Sequence, residues 1–150
     1  MRRKRPTKQA KRYYSPAERK GKNFKPPKPY RSWLEADVAQ DLDEQGVPFE
    51  YETEKVIWHE PAKTRSYTPD IKLPNDIIVE VKGRWTAHDR RKMGFVLEQN
   101  PDKDIRMLFA VNNKLSRESK TRYSDWCERR GIKYAVGTKV PIEWIKEKRK

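Results

Sequence analysis

The chain has 150 residues, a formal net charge of +14, 39% charged side chains and 34% hydrophobic ones. This length predicts one folded domain. No apolar run approaches a membrane span, and no apolar signal core follows Arg2-Arg3, so neither a membrane protein nor a secreted one is expected. Cys127 is the single cysteine, which excludes an intrachain disulfide; with only two histidines, zinc is not expected, and a reducing cytoplasm is the natural setting.

The charge is concentrated at the amino-terminal end. Residues 1–30 hold twelve Lys/Arg (Arg2, Arg3, Lys4, Arg5, Lys8, Lys11, Arg12, Arg19, Lys20, Lys22, Lys25, Lys28) against Glu18 alone, a net +11 of the total +14. Residues 1–29 are expected to be a disordered basic arm, closed by Pro26-Pro27-Lys28-Pro29 as a stiff linker, with residues 30–150 forming the folded domain. Such an arm attracts nucleic acid by releasing counterions from phosphates, without reading bases. A merely solubilising tail would share this composition.

Ser32-Trp33-Leu34-Glu35 predicts a capping box, with Leu34, Val38 and Leu42 following at helical spacing until Gly46 and Pro48. From spacing alone, helix capping accounts for Glu35. Phe49 to Trp58 alternates as one long strand. A hairpin follows, with its turn at Leu73-Pro74-Asn75-Asp76. Thr86-Ala87-His88-Asp89 opens a helix that stops at Asn100-Pro101; it carries Arg90, Arg91 and Lys92 outward and Met93, Val96 and Leu97 inward. Ile105 to Val111 reads as a central strand buried on both faces. A short helix from Ser124 to Arg130, a strand from Ile132 to Ala135 and a helix starting at Pro141 complete the order. The expected fold is a mixed sheet flanked by helices, of the α/β (α+β) class.

The hairpin carries the chemistry. Tyr67-Thr68-Pro69-Asp70 and Ile77-Ile78-Val79-Glu80-Val81-Lys82-Gly83 together present two carboxylates and a lysine, the set that holds a hard divalent cation beside a phosphate. In so charged a chain a lone Glu-x-Lys is weak, and Glu18-Arg19-Lys20 is another. Strand alternation puts Glu80, Lys82 and Ile78 on one face, with Ile77, Val79 and Val81 on the other. A solvated charged face would show the same alternation. The register matters: a two-residue loop pairs Asp70 with Val79, whereas a three-residue loop of Pro74, Asn75 and Asp76 pairs Asp70 with Glu80. Opposed like charges destabilise a hairpin unless a cation neutralises them, so an odd-length loop or a bulge is expected, with a metal site as its consequence.

The joint order of these segments resembles the PD-(D/E)xK, restriction-endonuclease-like nucleases, and within them the bacteriophage T7-type endonuclease I family of Holliday junction resolvases. The likeness rests on Tyr30-Arg31-Ser32 before Leu34-Glu35, Tyr67-Thr68-Pro69-Asp70, Leu73-Pro74-Asn75, Val79-Glu80-Val81-Lys82-Gly83, Gly131-Ile132-Lys133 and Pro141-Ile142-Glu143-Trp144-Ile145. It covers roughly residues 30 to 147 and stops at the arm. It implies a catalytic set of Glu35, Asp70, Glu80 and Lys82, cleaving four-way DNA junctions with two Mg²⁺ or Mn²⁺ ions per site. Asp70 would bridge the ions, Glu80 and the Val81 carbonyl would complete one shell, Glu35 would hold the second ion, and Lys82 would orient the attacking water. It also implies an intertwined, domain-swapped homodimer, with Glu35 from one chain and the hairpin from the other, joined through the Phe49–Trp58 strand. Trp33 departs from the pattern, since a small residue would sit more comfortably there beside DNA or a partner.

Branched DNA is thus the expected partner, with no membrane and no nucleotide cofactor, in the bacterial host cytoplasm if the chain is phage-encoded. Expected DNA contacts are Arg2, Arg3, Lys4, Arg5, Lys8, Lys11 and Arg12 of the arm, with Arg31, Arg84, Arg90, Arg91 and Lys92 of the domain. Two rival readings use the same residues differently: a nuclease of the same superfamily acting on duplex or single strands, and a non-enzymatic architectural DNA binder.

Overall fold

The run expected as a central strand is β6 (Ile105–Phe109), buried at every position. The structure, a computed structural model, describes residues 12–60 and 63–149. Strand β5 (Ile78–Lys82) pairs in parallel with one edge of β6, and β7 (Tyr134–Val136) in parallel with the other. Beyond β5 lie β4 (Ile71–Lys72) and β1 (Glu50–Tyr51), both added antiparallel, giving the order β1-β4-β5-β6-β7. Parallel neighbours need crossovers, supplied by α3 (Ala87–Gln99) and α4 (Tyr123–Arg129).

Each face of this sheet holds its own core. On one face Ile78, Ile105, Met107 and Phe109 pack with Met93, Val96, Tyr123 and Trp126, and with Val56, Trp58 and Tyr67 from a separate hairpin of β2 (Val56–Glu60) and β3 (Lys63–Tyr67). On the other, Ile71, Val79, Val81 and Leu108 meet Val38 and Leu42 of α2 (Trp33–Glu44) and Trp144 of α5 (Ile142–Lys146). The mixed sheet flanked by helices is as the sequence predicts. Arg106 is buried within it and paired to both Asp104 and Glu147 at 2.7 Å. Such pairing compensates the desolvation of a buried guanidinium.

Two expectations change. The Phe49–Trp58 strand is broken: Glu52 takes φ 51°, and the chain turns from β1 towards β2. Alternation is a period-2 signal, and it survives on both sides of a bend that a single left-handed residue creates.

The second concerns the arm. Residues 1–11 lie outside the described residues, but residues 12–29 include a short helix, α1 (Pro16–Arg19), and a strap over α2. Arg19 forms a forked ion pair with Asp37, Tyr13 donates to Asp37 at 2.7 Å, and Tyr14 stacks on Phe24 at 4.3 Å. The Trp33 indole donates to the Phe24 carbonyl at 2.7 Å and lies under the Arg19 guanidinium at 4.6 Å. Trp33 is therefore part of the dock for the strap, which explains a large residue at that position. Buried aromatic area and a paired arginine offset the ordering entropy that a polycationic segment otherwise cannot meet.

Candidate active site

The hairpin loop sets the geometry. Leu73 N–H donates to the Ile77 carbonyl at 2.8 Å, so Pro74, Asn75 and Asp76 form a three-residue loop, with Asp76 at φ 68° in the left-handed position such loops require. Asn75 accepts from Ile77 N–H and donates to the carbonyls of Trp144 and Glu147, tying the loop to α5. Ile71 then pairs with Val79, and the same register carries Asp70 opposite Glu80. This is the odd-length alignment expected from the charge pattern.

Asp70 accepts a hydrogen bond from Val81 N–H at 2.9 Å, and its own N–H donates to Glu80 Oε2 at 3.4 Å. Glu80 is buried, and its Oε2 accepts a short hydrogen bond from the buried Tyr67 hydroxyl. Its Oε1 is 3.6 Å from Lys82 Nζ. Burial pushes the Glu80 carboxyl up to about 8, with the Asp70 charge adding to the rise and the Tyr67 hydrogen bond and Lys82 opposing it. Burial likewise pushes Asp70 up to about 6, against the Val81 hydrogen bond and helped by the Glu35 charge. Two carboxyls that resist ionisation side by side are groups whose ionised forms a cation would stabilise.

Glu35 enters from the first turn of α2. Ser32 Oγ accepts from Glu35 N–H at 3.1 Å, but the Glu35 carboxylate does not close the predicted box onto the Ser32 amide. It accepts instead from the Ser32 hydroxyl at 2.8 Å and from the Tyr51 hydroxyl at 2.6 Å. The Tyr51 phenol is raised by burial and by Glu35. The helix cap thus leaves Glu35 aimed at the sheet end, where one oxygen each of Glu35, Glu52 and Asp70 lie within 4.8 Å of one another.

Glu52 is the residue that sequence reading misses. It reads as one of three solvated glutamates, Glu50, Glu52 and Glu54, on a strand face. The bend brings its N–H to the Asp70 carbonyl at 3.2 Å and its carboxylate to the cluster. Only the unusual backbone at Glu52 separates it from its neighbours, and no side-chain pattern announces that. Glu80 stands beside this cluster, linked to it through Asp70 N–H. Val81 offers its N–H to Asp70 while pairing with Leu108 in the sheet.

The predicted cationic contacts divide. Arg31 is exposed and ion-paired with Glu52 at 3.2 Å, at the rim of the cluster. Arg84 is exposed two residues beyond Lys82. Arg90 is held by the Trp85 carbonyl at 2.7 Å, Arg91 stacks over Phe95, and Lys92 Nζ sits over the Tyr67 ring at 5.0 Å. Arg12 stacks on Tyr14. Arg2, Arg3, Lys4, Arg5, Lys8 and Lys11 lie outside the described residues. Among the described residues no helix is long and apolar enough to cross a membrane.

The family model for phage endonuclease I matches residues 16–150. The chain is 46% identical over 122 residues to endonuclease I of Escherichia phage T7, covering 81% of each chain. It is 39% identical over 122 residues to endodeoxyribonuclease 1 of Enterobacteria phage T3, covering 81% of this chain and 80% of that one. With a model match over most of its length and such relatives, the chain belongs to the phage endonuclease I family.

Proposed function

We propose that this protein is an endodeoxyribonuclease that hydrolyses phosphodiester bonds in branched DNA, with four-way junctions as substrate and two Mg²⁺ or Mn²⁺ ions per site. The observation that carries this reading is the three-residue loop, which aligns Asp70 with Glu80 beside Lys82 while Glu35 and Glu52 converge on Asp70. The residues fit such ions: the donors are hard oxygens, from carboxylates and one backbone carbonyl, and burial raises the Asp70 and Glu80 carboxyls so that a cation would be needed to balance them ionised.

Asp70, Glu35, Glu80 and the Val81 carbonyl would hold the metal, with Glu52 a further oxygen donor. Bound there, divalent ions supply a water of lowered pKa and compensate charge on the phosphate. Lys82, partly exposed and anchored by Glu80, presents its ammonium protons to the attacking water and to the phosphate oxygens. Arg31, Arg84, Arg90, Arg91, Lys92 and the basic arm neutralise phosphates of the duplex arms. The site of action is the cytoplasm of the bacterial host.

The active form is an intertwined homodimer. In a single chain the bend at Glu52 folds Glu35 back onto its own hairpin. Straightening residues 49–58 relieves the left-handed conformation and hands α2 to a second copy, so each site takes Glu35 from one chain and Asp70, Glu80 and Lys82 from the other. Two sites fixed in one dimer suit paired cuts across a junction.

The test is incubation of the full-length protein with labelled four-way junction, matched duplex and single strand, with and without Mg²⁺. Cleavage confined to Mg²⁺ and favouring the junction is expected. Equal cutting of all three substrates removes the junction assignment, and cutting in a chelator removes the metal.

A further inference from the structure

Tyr67 closes β3 three residues before Asp70, and its register partner on β2 is Val56. It is 3% exposed, packed among Val56, Trp58, Ile78 and Met93 in the core on one face of the sheet. Its hydroxyl nevertheless points at the catalytic hairpin and donates to Glu80 Oε2, the oxygen that also accepts from Asp70 N–H at 3.4 Å. Both donors fall on one oxygen. The other, Oε1, faces Lys82 Nζ at 3.6 Å. Lys92 of α3 lies over the Tyr67 ring at 5.0 Å, so the ring is held by the hydrophobic core beneath and a cation beside it.

We infer that Tyr67 is a positioning residue for the metal site: by saturating Glu80 Oε2 it fixes the carboxylate so that Oε1 alone is presented to metal and to Lys82. A carboxylate free to rotate would present either oxygen and lose rotamer entropy on each binding event. A buried phenol whose ring is locked by packing removes that freedom, as hydrogen-bond partners of metal-binding side chains generally do. The hydroxyl also links the β2–β3 hairpin to the site, although none of the metal donors named above lies on that hairpin. This inference rests on the metal-dependent nuclease reading.

The experiment compares full-length wild type, Tyr67→Phe, Glu80→Gln and the double variant. Mn²⁺ binding without DNA is measured by calorimetry, and junction cleavage is measured across a Mg²⁺ series. Tyr67→Phe keeps the ring and therefore the core. It should weaken Mn²⁺ binding by about 10- to 100-fold and raise the Mg²⁺ concentration for half-maximal cleavage in step. The rate at saturating Mg²⁺ should change much less. In the Glu80→Gln background the same change should have no further effect on Mn²⁺ affinity, because it acts only through Glu80. Unchanged metal affinity in Tyr67→Phe, or an equal loss in the Glu80→Gln background, overturns the inference while wild-type binding leaves the nuclease reading standing. If Tyr67→Phe loses its fold, Lys92→Met, which leaves the phenol in place but frees one side of its ring, should shift Mn²⁺ affinity several-fold in the same direction; no shift overturns the inference. Wild-type protein that neither binds Mn²⁺ nor cleaves overturns both.

Discussion

Asp70 and Glu80 face each other across a hairpin whose loop has three residues, and both carboxyls are raised, mainly by burial. The consequence for stability has a definite sign. A carboxyl with a raised pKa binds its proton more tightly folded than unfolded. Its contribution is full below the unfolded value near 4 and is lost as pH rises through the folded values of about 6 and about 8. The metal-free protein should therefore lose thermal stability steadily from about pH 5 to pH 8. Mg²⁺ should restore it most at the alkaline end. Asp70→Asn should stabilise the metal-free protein at pH 8 by about 1–3 kcal/mol, roughly 2–4 °C per kcal/mol. Scanning calorimetry across pH, with Mg²⁺ and with chelator, checks this; stability that rises with pH in chelator runs against it.

Lys82 is tied to Glu80 Oε1 on a partly exposed strand end. Lys82→Ala should reduce single-turnover cleavage by about 100-fold or more, as for loss of a group acting in the transition state. Mn²⁺ affinity should change little, because the lysine donates no oxygen to the metal. Normal cleavage by this variant would make Lys82 a solvated strand residue.

Glu52 combines a left-handed backbone with a place in the carboxylate cluster. Holding a non-glycine residue there costs about 1 kcal/mol. Glu52→Gly makes the bend easier and should shift the protein from the proposed dimer towards a closed monomer in sedimentation experiments at matched concentration. Glu52→Gln keeps the bend cost and removes a charge; it should leave the dimer unchanged and weaken Mn²⁺ binding. Identical sedimentation of wild type and Glu52→Gly would mean residues 49–58 are not the hinge.

The exchange itself is separable. If the protein is the proposed homodimer, a Glu35→Gln chain and a Lys82→Ala chain refolded together should form heterodimers. If Glu35 and the hairpin come from different chains, one site carries both defects and the other is intact, so the mixture nicks one strand of a junction. Proven heterodimers without activity would show that each site is built within one chain.

The strap accounts for only part of the basic segment. Residues 1–11 contribute six Lys/Arg, while residues 13–24 are docked on α2 through Arg19, Asp37, Phe24 and Trp33. Deleting residues 1–11 should flatten the slope of log affinity against log salt by about 0.9 for each phosphate left without its cation, with melting unchanged. Deleting residues 1–24 should add a loss of several degrees by exposing Trp33 and leaving Asp37 unpaired. Equal melting of the two deletions would contradict the docking.

Much of this was legible before folding. The loop Pro74-Asn75-Asp76 and the spacing of Asp70 and Glu80 encode their own register, because turn chemistry and alternation are local. The β6 run and the caps at Ser32 and Thr86 are local in the same sense. What escaped is what depends on groups distant in sequence or on one backbone angle. Glu52 joins Glu35 and Asp70 only through its bend. Tyr67 reaches Glu80 only because the β2–β3 hairpin packs beneath the sheet. The α1 cap was readable: Ser15-Pro16-Ala17-Glu18 is a capping box with proline at the first position, obscured by the surrounding positive charge. Trp33 and Asp37 gave no sign that a strap covers them.

In the proposed function the aligned carboxylates serve metal-dependent cleavage and do not merely shape a DNA-binding surface. The most direct measurement takes wild type and Asp70→Asn through two assays on one labelled four-way junction: binding by gel shift with Ca²⁺ or chelator, and cleavage under single-turnover conditions with Mg²⁺. Asp70→Asn should bind the junction as tightly as wild type or more so, since a charge that repels phosphate is gone, and should cleave at least about 1000-fold more slowly, a barrier increase of roughly 4 kcal/mol. Cleavage by Asp70→Asn near the wild-type rate, or wild-type cleavage undiminished in chelator, would contradict the account.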